Sequence, residues 1–319
     1  MSQVPPSDQG PPAGEFPGLP PYVVRFGPKA NCTINICPVQ YSVYGYRPSL
    51  IANVLSIALF AIAGLVHIYL GFRWKSRFFA IACVIGCISA ILGYLGRVLL
   101  YRNPFDFAGF MLQITCITTT PVYFCAAIYI TLAQVINAFA PQLSRFNPSY
   151  FYWVFLPCDI VSLALQAAGG AMSVSAKGAS QLGVNLALAG LAFQVVTIVI
   201  FCGFMGDFTI RYFRSGINAT ERDWRVYTFF SCLYGAVILI TVRCVFRLVE
   251  LREGYGGSLV KDEALFIGLE GTLVFAATCA LTLGHPGLIF NADGKTKCLS
   301  DTEYPLNDQP SIKSQAQSC

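Results

Sequence analysis

The sequence predicts an all-α polytopic membrane protein with seven transmembrane helices, its amino terminus outside and its carboxyl terminus in the cytoplasm. Three observations carry this expectation. Hydrophobic residues make up 55% of the 319 and charged residues only 12%, with a mean hydropathy of +0.60, whereas soluble domains carry about a quarter charged. Seven continuous apolar stretches each approach the roughly 20 helical residues needed to cross a hydrocarbon core about 30 Å thick. The stretches do not alternate, so they satisfy their backbone groups as helices rather than as strands of a barrel. Finally, basic residues concentrate in two of the connectors, which sets the orientation.

The chain divides into a Pro/Gly-rich tail (1–47), a seven-helix domain (48–287) and a cytoplasmic tail (288–319). The run PPSDQGPPAGEFPGLPP cannot bury a core and reads as disordered. Nothing apolar precedes Leu50, so the first span is expected to target the chain to the membrane itself. Asn31-Cys32-Thr33 is an N-glycosylation acceptor, and Cys37 lies five residues beyond Cys32. A sequon at Asn31 with a Cys32–Cys37 disulfide suits a lumenal or extracellular tail. Asn218-Ala219-Thr220 also fits the sequon pattern, in a connector that the charge pattern places in the cytoplasm.

The spans read as Leu50–Gly71, Phe78–Leu100, Gly109–Ile136, Tyr150–Met172, Leu182–Met205, Val226–Val249 and Ala264–Leu283. The first connector holds Arg73, Lys75 and Arg77, and the fifth, Asp207 to Arg225, holds Arg211, Arg214, Arg222 and Arg225. Both belong in the cytoplasm. The connectors around Arg102 and Lys177 carry one basic residue each and face outward. Pro121 and Pro157 fall inside spans three and four, where each frees a backbone carbonyl that the bundle must satisfy. Gly169-Gly170 in span four and Ala187, Ala189 and Gly190 in span five permit close helix approach.

Nine of the 13 cysteines (Cys83, Cys87, Cys116, Cys125, Cys158, Cys202, Cys232, Cys244 and Cys279) lie within spans, as small hydrophobes rather than metal ligands. The net charge of +5 arises from 21 Lys+Arg against 16 Asp+Glu with no basic tract, so no nucleic-acid partner is expected. No cofactor is implied either. Gly254-Tyr255-Gly256-Gly257 follows no strand and precedes no Lys-Ser/Thr, so it is not a phosphate loop. With only His67 and His285, the chain lacks the imidazoles of a zinc-dependent membrane hydrolase.

Ionisable groups inside a membrane cost about 2.5–3.5 kcal/mol each at mid-depth, so each should face the bundle interior or an aqueous cavity. Arg243, Arg247 and Glu250 form one stripe of span six. Glu263 and Glu270 lie two turns apart in span seven, at a depth that allows an Arg243–Glu270 pair. These charges either pin two helices together or form a polar wall for a lipid headgroup. Asp159 lies roughly 13 Å from the start of span four, at 1.5 Å per residue, and Gln166 lies seven residues further on. The aspartate is a proton-coupling site, a headgroup acceptor or an interhelical hydrogen-bond partner. Asn53, Gln113 and Gln194 add amides able to bond across helices.

Read in order, these residues resemble the fungal lipid-translocating exporter family, which includes aminocholesterol-resistance proteins and sphingoid long-chain-base exporters. The resemblance covers nearly the whole chain after the tail. It rests on Tyr46-Arg47-Pro48-Ser49, Asn53 and His67, on Gly93-Tyr94 with Arg97, and on Pro121, Ala126, Ala127 and Tyr129. It continues through Asp159-Ile160-Val161-Ser162-Leu163, Gln166-Ala167, Gly169-Gly170, Gly190-Leu191 and Gln194. Its most specific part is Arg243-Cys244-Val245-Phe246-Arg247 with Glu250, Gly254, Gly257 and Glu263, closing on His285-Pro286-Gly287. Two positions depart from the family pattern: Gln134 replaces a basic residue, and Glu270 replaces an aspartate.

The resemblance implies a plasma-membrane protein, or alternatively an endomembrane one, that exports amphiphiles such as sphingoid bases and confers resistance to toxic amphiphiles. A cationic headgroup would meet Asp159, Glu270 or Glu263, with membrane lipid around the tail. The expectation is a transporter rather than an enzyme. The alternative is a seven-helix lipid or small-molecule sensor signalling through its cytoplasmic connectors.

Overall fold

The computed structural model describes residues 24, 27, 28, 30–139, 147–175, 181–215, 224–252 and 262–287. Among the described residues seven helices are long and apolar enough to span a bilayer: α1 (Leu50–Arg73), α2 (Arg77–Arg102), α3 (Phe107–Phe139), α4 (Tyr150–Ser175), α5 (Gln181–Arg214), α6 (Trp224–Arg252) and α7 (Glu263–Leu283). The protein is an integral membrane protein. The loop Gly254–Gly257, the second sequon at Asn218, Lys177, Arg222 and the carboxyl-terminal tail lie outside the described residues.

Each helix packs on its neighbours in sequence, and α7 returns to α1, so the seven close into a ring. Helix α3 is the most enclosed and also meets α6 across the middle. Glycines set the tightest approaches. A Cβ on Gly96 of α2 would lie 2.7 Å from Gln113 N and Gly109 O, so only glycine lets the two backbones touch there. Gly169, Gly183 and Gly190 do the same between α4 and α5, with Ala187 at the contact. Two expected packing residues do not take part: Ala189 is exposed, and a Cβ on Gly170 would meet nothing within 4 Å. Both fall one position off the buried stripe of a 3.6-residue repeat.

Helix α5 runs nine residues past its expected end at Met205, to about 50 Å of helix. The start of the fifth connector is therefore helical, and Arg211 pairs there with Asp207 at 3.1 Å. Glu263 and Glu270 also depart from expectation. Residues Phe266–Thr272 of α7 form a π-helix, and the Thr272 hydroxyl donates to the carbonyl of Ile267, five residues back. The wider turn rotates Glu270 away from the face that carries Glu263, and the two carboxylates reach different helices.

The segment 31–49, assigned largely to the tail by composition, packs on one end of the bundle. Cys32 and Cys37 are bonded to each other and lie against Phe105 and Tyr41. Tyr44 packs with Leu100 and Phe110. Arg47 donates to Tyr101 O at 2.7 Å and lies over the Tyr101 ring. Asn31 is exposed at the surface.

At the opposite end, the short α1–α2 connector is clasped by the end of α7. The Trp74 and His285 rings lie 4.7 Å apart, and a Cβ on Gly287 would fall 2.5 Å from the Trp74 ring. His285 Nδ1 accepts from Gly287 N at 3.0 Å, which leaves the ring proton on Nε2 to donate to Ser76 Oγ at 3.1 Å. Burial, with His67 adding to it, pushes the His285 pKa from 6.5 down to about 3. The folded chain therefore binds this proton later than the unfolded chain. Its contribution is fully present above about 6.5 and is lost as pH falls from there toward 3. The melting temperature of the detergent-purified protein is expected to fall more steeply between pH 7 and 5 than that of His285→Gln. Parallel curves would contradict this role.

A buried charge network and a lone aspartate

Arg97 is fully buried near the end of α2 and organises the amino-terminal end of the bundle. Its Nε donates to Asn53 Oδ1 at 3.0 Å, and its Nη2 donates to the Tyr46 hydroxyl at 3.2 Å and lies 3.4 Å from Glu263 Oε1. The Phe266 ring sits 3.8 Å from the guanidinium carbon. Glu263 also accepts from Ser49 N at 2.6 Å, while Asn53 Nδ2 donates to Ser49 O at 2.6 Å. The start of α1, the end of α2 and the start of α7 are thus joined through one arginine. Gln113 of α3 joins this layer by donating to the Tyr44 hydroxyl at 2.9 Å. Burial pushes the Tyr44 and Tyr46 phenols up, so both remain protonated.

One layer deeper, Arg243 of α6 is fully buried and lies 3.4 Å from Glu270, as the sequence spacing allows. Its Nη2 also donates to Ile117 O at 3.0 Å. Pro121 explains that contact. Proline has no N–H to offer the carbonyl four residues earlier, so Ile117 O needs another donor and Arg243 supplies one. Arg247 Nη1 bonds Glu250 at 2.7 Å and its Nε approaches Glu270 at 3.0 Å. Tyr94 lies within electrostatic reach of Glu270, Arg97 and Arg243.

Asp159 is different. It is fully buried on α4, where the Tyr129 hydroxyl is the hydrogen-bonding group beside it. Among the described residues no cationic side chain pairs with it. The Tyr129 hydroxyl, itself buried, and the thiols of Cys125 and Cys244 are its polar neighbours. Tyr129 is enclosed by Phe155 and Phe201, with ring centroids at 5.6 and 4.5 Å. Two turns further along α4, Gln166 donates to Gln194 of α5 at 3.1 Å, bonding those helices as the amide positions suggest.

Of the candidate residues, the structure joins Arg243, Arg247, Glu250 and Glu270 in one cluster, sets Glu263 against Arg97 and Gln113 against Tyr44, and leaves Asp159 and the Gln166–Gln194 pair apart from these. Arg97, Tyr46 and Tyr129 enter the sequence reading only through the family resemblance, and Tyr44 does not enter it. Arg97 carries a usable signal of its own, because an arginine inside an apolar span must be compensated by something. The tyrosine hydroxyls become significant only when the fold buries them.

The sequence matches the family model described as RTA1 like protein over residues 83–293. It is 30% identical over 282 residues to the sphingoid long-chain base transporter RSB1 of Saccharomyces cerevisiae, covering 77% of this chain and 74% of that protein. It is 30% identical to Protein RTM1 of Saccharomyces cerevisiae, covering 62% of this chain and 64% of that protein. A probable lipid transporter, atnI of Emericella nidulans, is 23% identical, covering 90% of this chain and 74% of that protein. No solved structure matches.

If Arg243 caps the carbonyl that Pro121 frees, the two positions are energetically coupled. Arg243→Ala alone is expected to lower thermal stability by about 3–5 kcal/mol, because it leaves Glu270 short of a partner as well as Ile117 O. In a Pro121→Ala background the restored N–H satisfies Ile117 O, so the same substitution is expected to cost about 1 kcal/mol less. Equal costs in both backgrounds would show that Pro121 and Arg243 act independently.

Proposed function

The chain belongs to the RTA1-like protein family, and on that premise we propose that it moves long-chain cationic amphiphiles, sphingoid bases among them, toward the outer leaflet. Resistance to toxic amphiphiles follows as its consequence. In this reading the basic connectors face the cytoplasm, the 31–49 segment faces outward, and the plasma membrane is the site of action. The protein acts as a transporter rather than an enzyme, and its partners are its amphiphilic substrate and the surrounding lipid.

The observation that carries the reading is the state of Asp159. Glu263 and Glu270 were equally good acceptors for a cationic headgroup on sequence grounds, but both already face arginines. Among the described residues no cation pairs with Asp159. A buried carboxylate without an opposite charge is costly, and an ammonium headgroup supplies that charge together with further hydrogen-bond donors. The Tyr129 hydroxyl lies close enough to share that headgroup. Because the aromatic side chains around Tyr129 exclude water, the attraction is stronger there than at a solvated surface.

The test is release of labelled sphingoid base from vesicles that contain only the purified protein. Release above that from empty vesicles is expected, and Asp159→Asn is expected to reduce it by about tenfold or more while leaving the elution profile unchanged. Undiminished release from the variant would remove Asp159 from the mechanism. No release from the folded wild-type protein would favour a lipid sensor instead.

A further inference from the structure

Arg97, Arg243 and Arg247 are matched by Glu263, Glu270 and Glu250, three against three. Asp159 adds a fourth acid to the interior, and among the described residues no fourth cation meets it. The groups within electrostatic reach of it are the Tyr129 hydroxyl and Cys125 thiol of α3 and the Cys244 thiol of α6. From α5 come Phe201, packed on Tyr129, and Cys202, within reach of Cys125. Phenols and thiols carry no positive charge in either protonation state. Arg243, next to Cys244 in the chain, is held by Glu270 and Ile117 O.

The ionised carboxylate is therefore an excess negative charge about a third of the way along the 26 residues of α4, where a lone charge is costly. Two states avoid that cost: the carboxyl with its own proton, and the carboxylate with a cation bound. The Tyr129 hydroxyl suits both, since a phenol accepts from a carboxyl and donates to a carboxylate. Because the site is neutral in either state, a proton and a cationic headgroup can replace one another without leaving a bare charge in the bundle.

We propose that Asp159 exchanges a proton for the cationic headgroup, one amphiphile moving outward for each proton that moves inward. This rests on the transport reading and adds its counter-substrate and driving force. As the headgroup arrives, the O–H bond of the Asp159 carboxyl breaks, the proton passes to water and the cation takes its place against the carboxylate. As the headgroup leaves, the carboxylate takes a proton from water. Nothing is oxidised or reduced. The exchange moves no net charge, so a proton gradient that is acidic outside drives it and a membrane potential does not.

The probe is dodecylguanidinium, whose headgroup keeps its charge and its N–H donors at every pH used, so any proton released comes from the protein. Its binding is measured in nanodiscs of neutral lipid, in weakly buffered solution with a pH-sensitive dye. About one proton is expected to leave per bound cation, and affinity to fall about tenfold for each unit of pH lowered once the carboxyl is protonated. Binding without proton release, at constant affinity across roughly pH 5–8, would overturn the exchange and leave the headgroup site standing. Asp159→Asn, compared at matched monodispersity, is expected to release no proton; release of the same size from that variant would also overturn the proposal. Absence of probe binding to the wild-type protein removes the headgroup site and the exchange with it. In vesicles, a gradient of one pH unit is expected to sustain about tenfold accumulation of the probe on the acidic side, and a potential alone none. Accumulation that follows potential instead of pH marks a uniporter and contradicts the proposal. Proton-linked binding with no movement across the vesicle membrane leaves the exchange at Asp159 standing and removes transport.

Discussion

Three fully or largely buried arginines in a chain whose solvent is mostly lipid impose the constraint on which this structure turns. A guanidinium cannot shed its proton in this setting, so each must be met by carboxylates, amides, carbonyls or rings from other helices. Arg97 is met by α1, α7 and the segment ahead of α1; Arg243 is met by α3 and α7. The same residues therefore hold the ring of helices closed at one end and fix the depth of α7 relative to α2 and α6. The π-helical turn at Phe266–Thr272 belongs to this arrangement, since it lets one helix deliver Glu263 and Glu270 to two different arginines. At the other end the ring is closed by uncharged contacts, with Trp74 and His285 clasping the α1–α2 connector.

Much of this was legible in the sequence because the bilayer restricts the options. Length and apolar continuity placed all seven spans to within a few residues, apart from the carboxyl-terminal end of α5, where Asp207 and the arginines beyond Met205 continue the helix. Helical spacing anticipated the Arg243–Glu270 pair. The proline rule anticipated a freed carbonyl, although not that Arg243 would be its partner. What the sequence could not reveal depended on departures from regular geometry or on tertiary burial. The π-turn in α7 separated two glutamates that a regular helix would stack. The folding of 31–49 onto α2 and α3 turned a stretch resembling tail into the cover of the charge network.

The contrast between compensated and uncompensated charge is what separates scaffold from candidate site. Sequence alone placed Glu263, Glu270 and Asp159 on equal terms as headgroup acceptors. In the fold the first two are engaged with arginines, and only Asp159 is left facing Tyr129 and hydrophobic side chains. Tyr129 of α3 offers Asp159 a hydroxyl but no opposite charge, so its compensation is incomplete. Asp159 carries the proposed function because no cation among the described residues offsets its charge.

The central claim is that the headgroup enters the bundle and reaches Asp159 while the hydrocarbon tail remains in lipid. The most direct measurement is residue-level mapping of adducts formed by a sphingoid base with a photoreactive group beside its amine. The account requires adducts on Asp159, Tyr129 and their core neighbours, displaced by excess unmodified base. Adducts confined to the lipid-facing residues of α1 and α2, such as Ile51, Leu55 and Ile81, would contradict it.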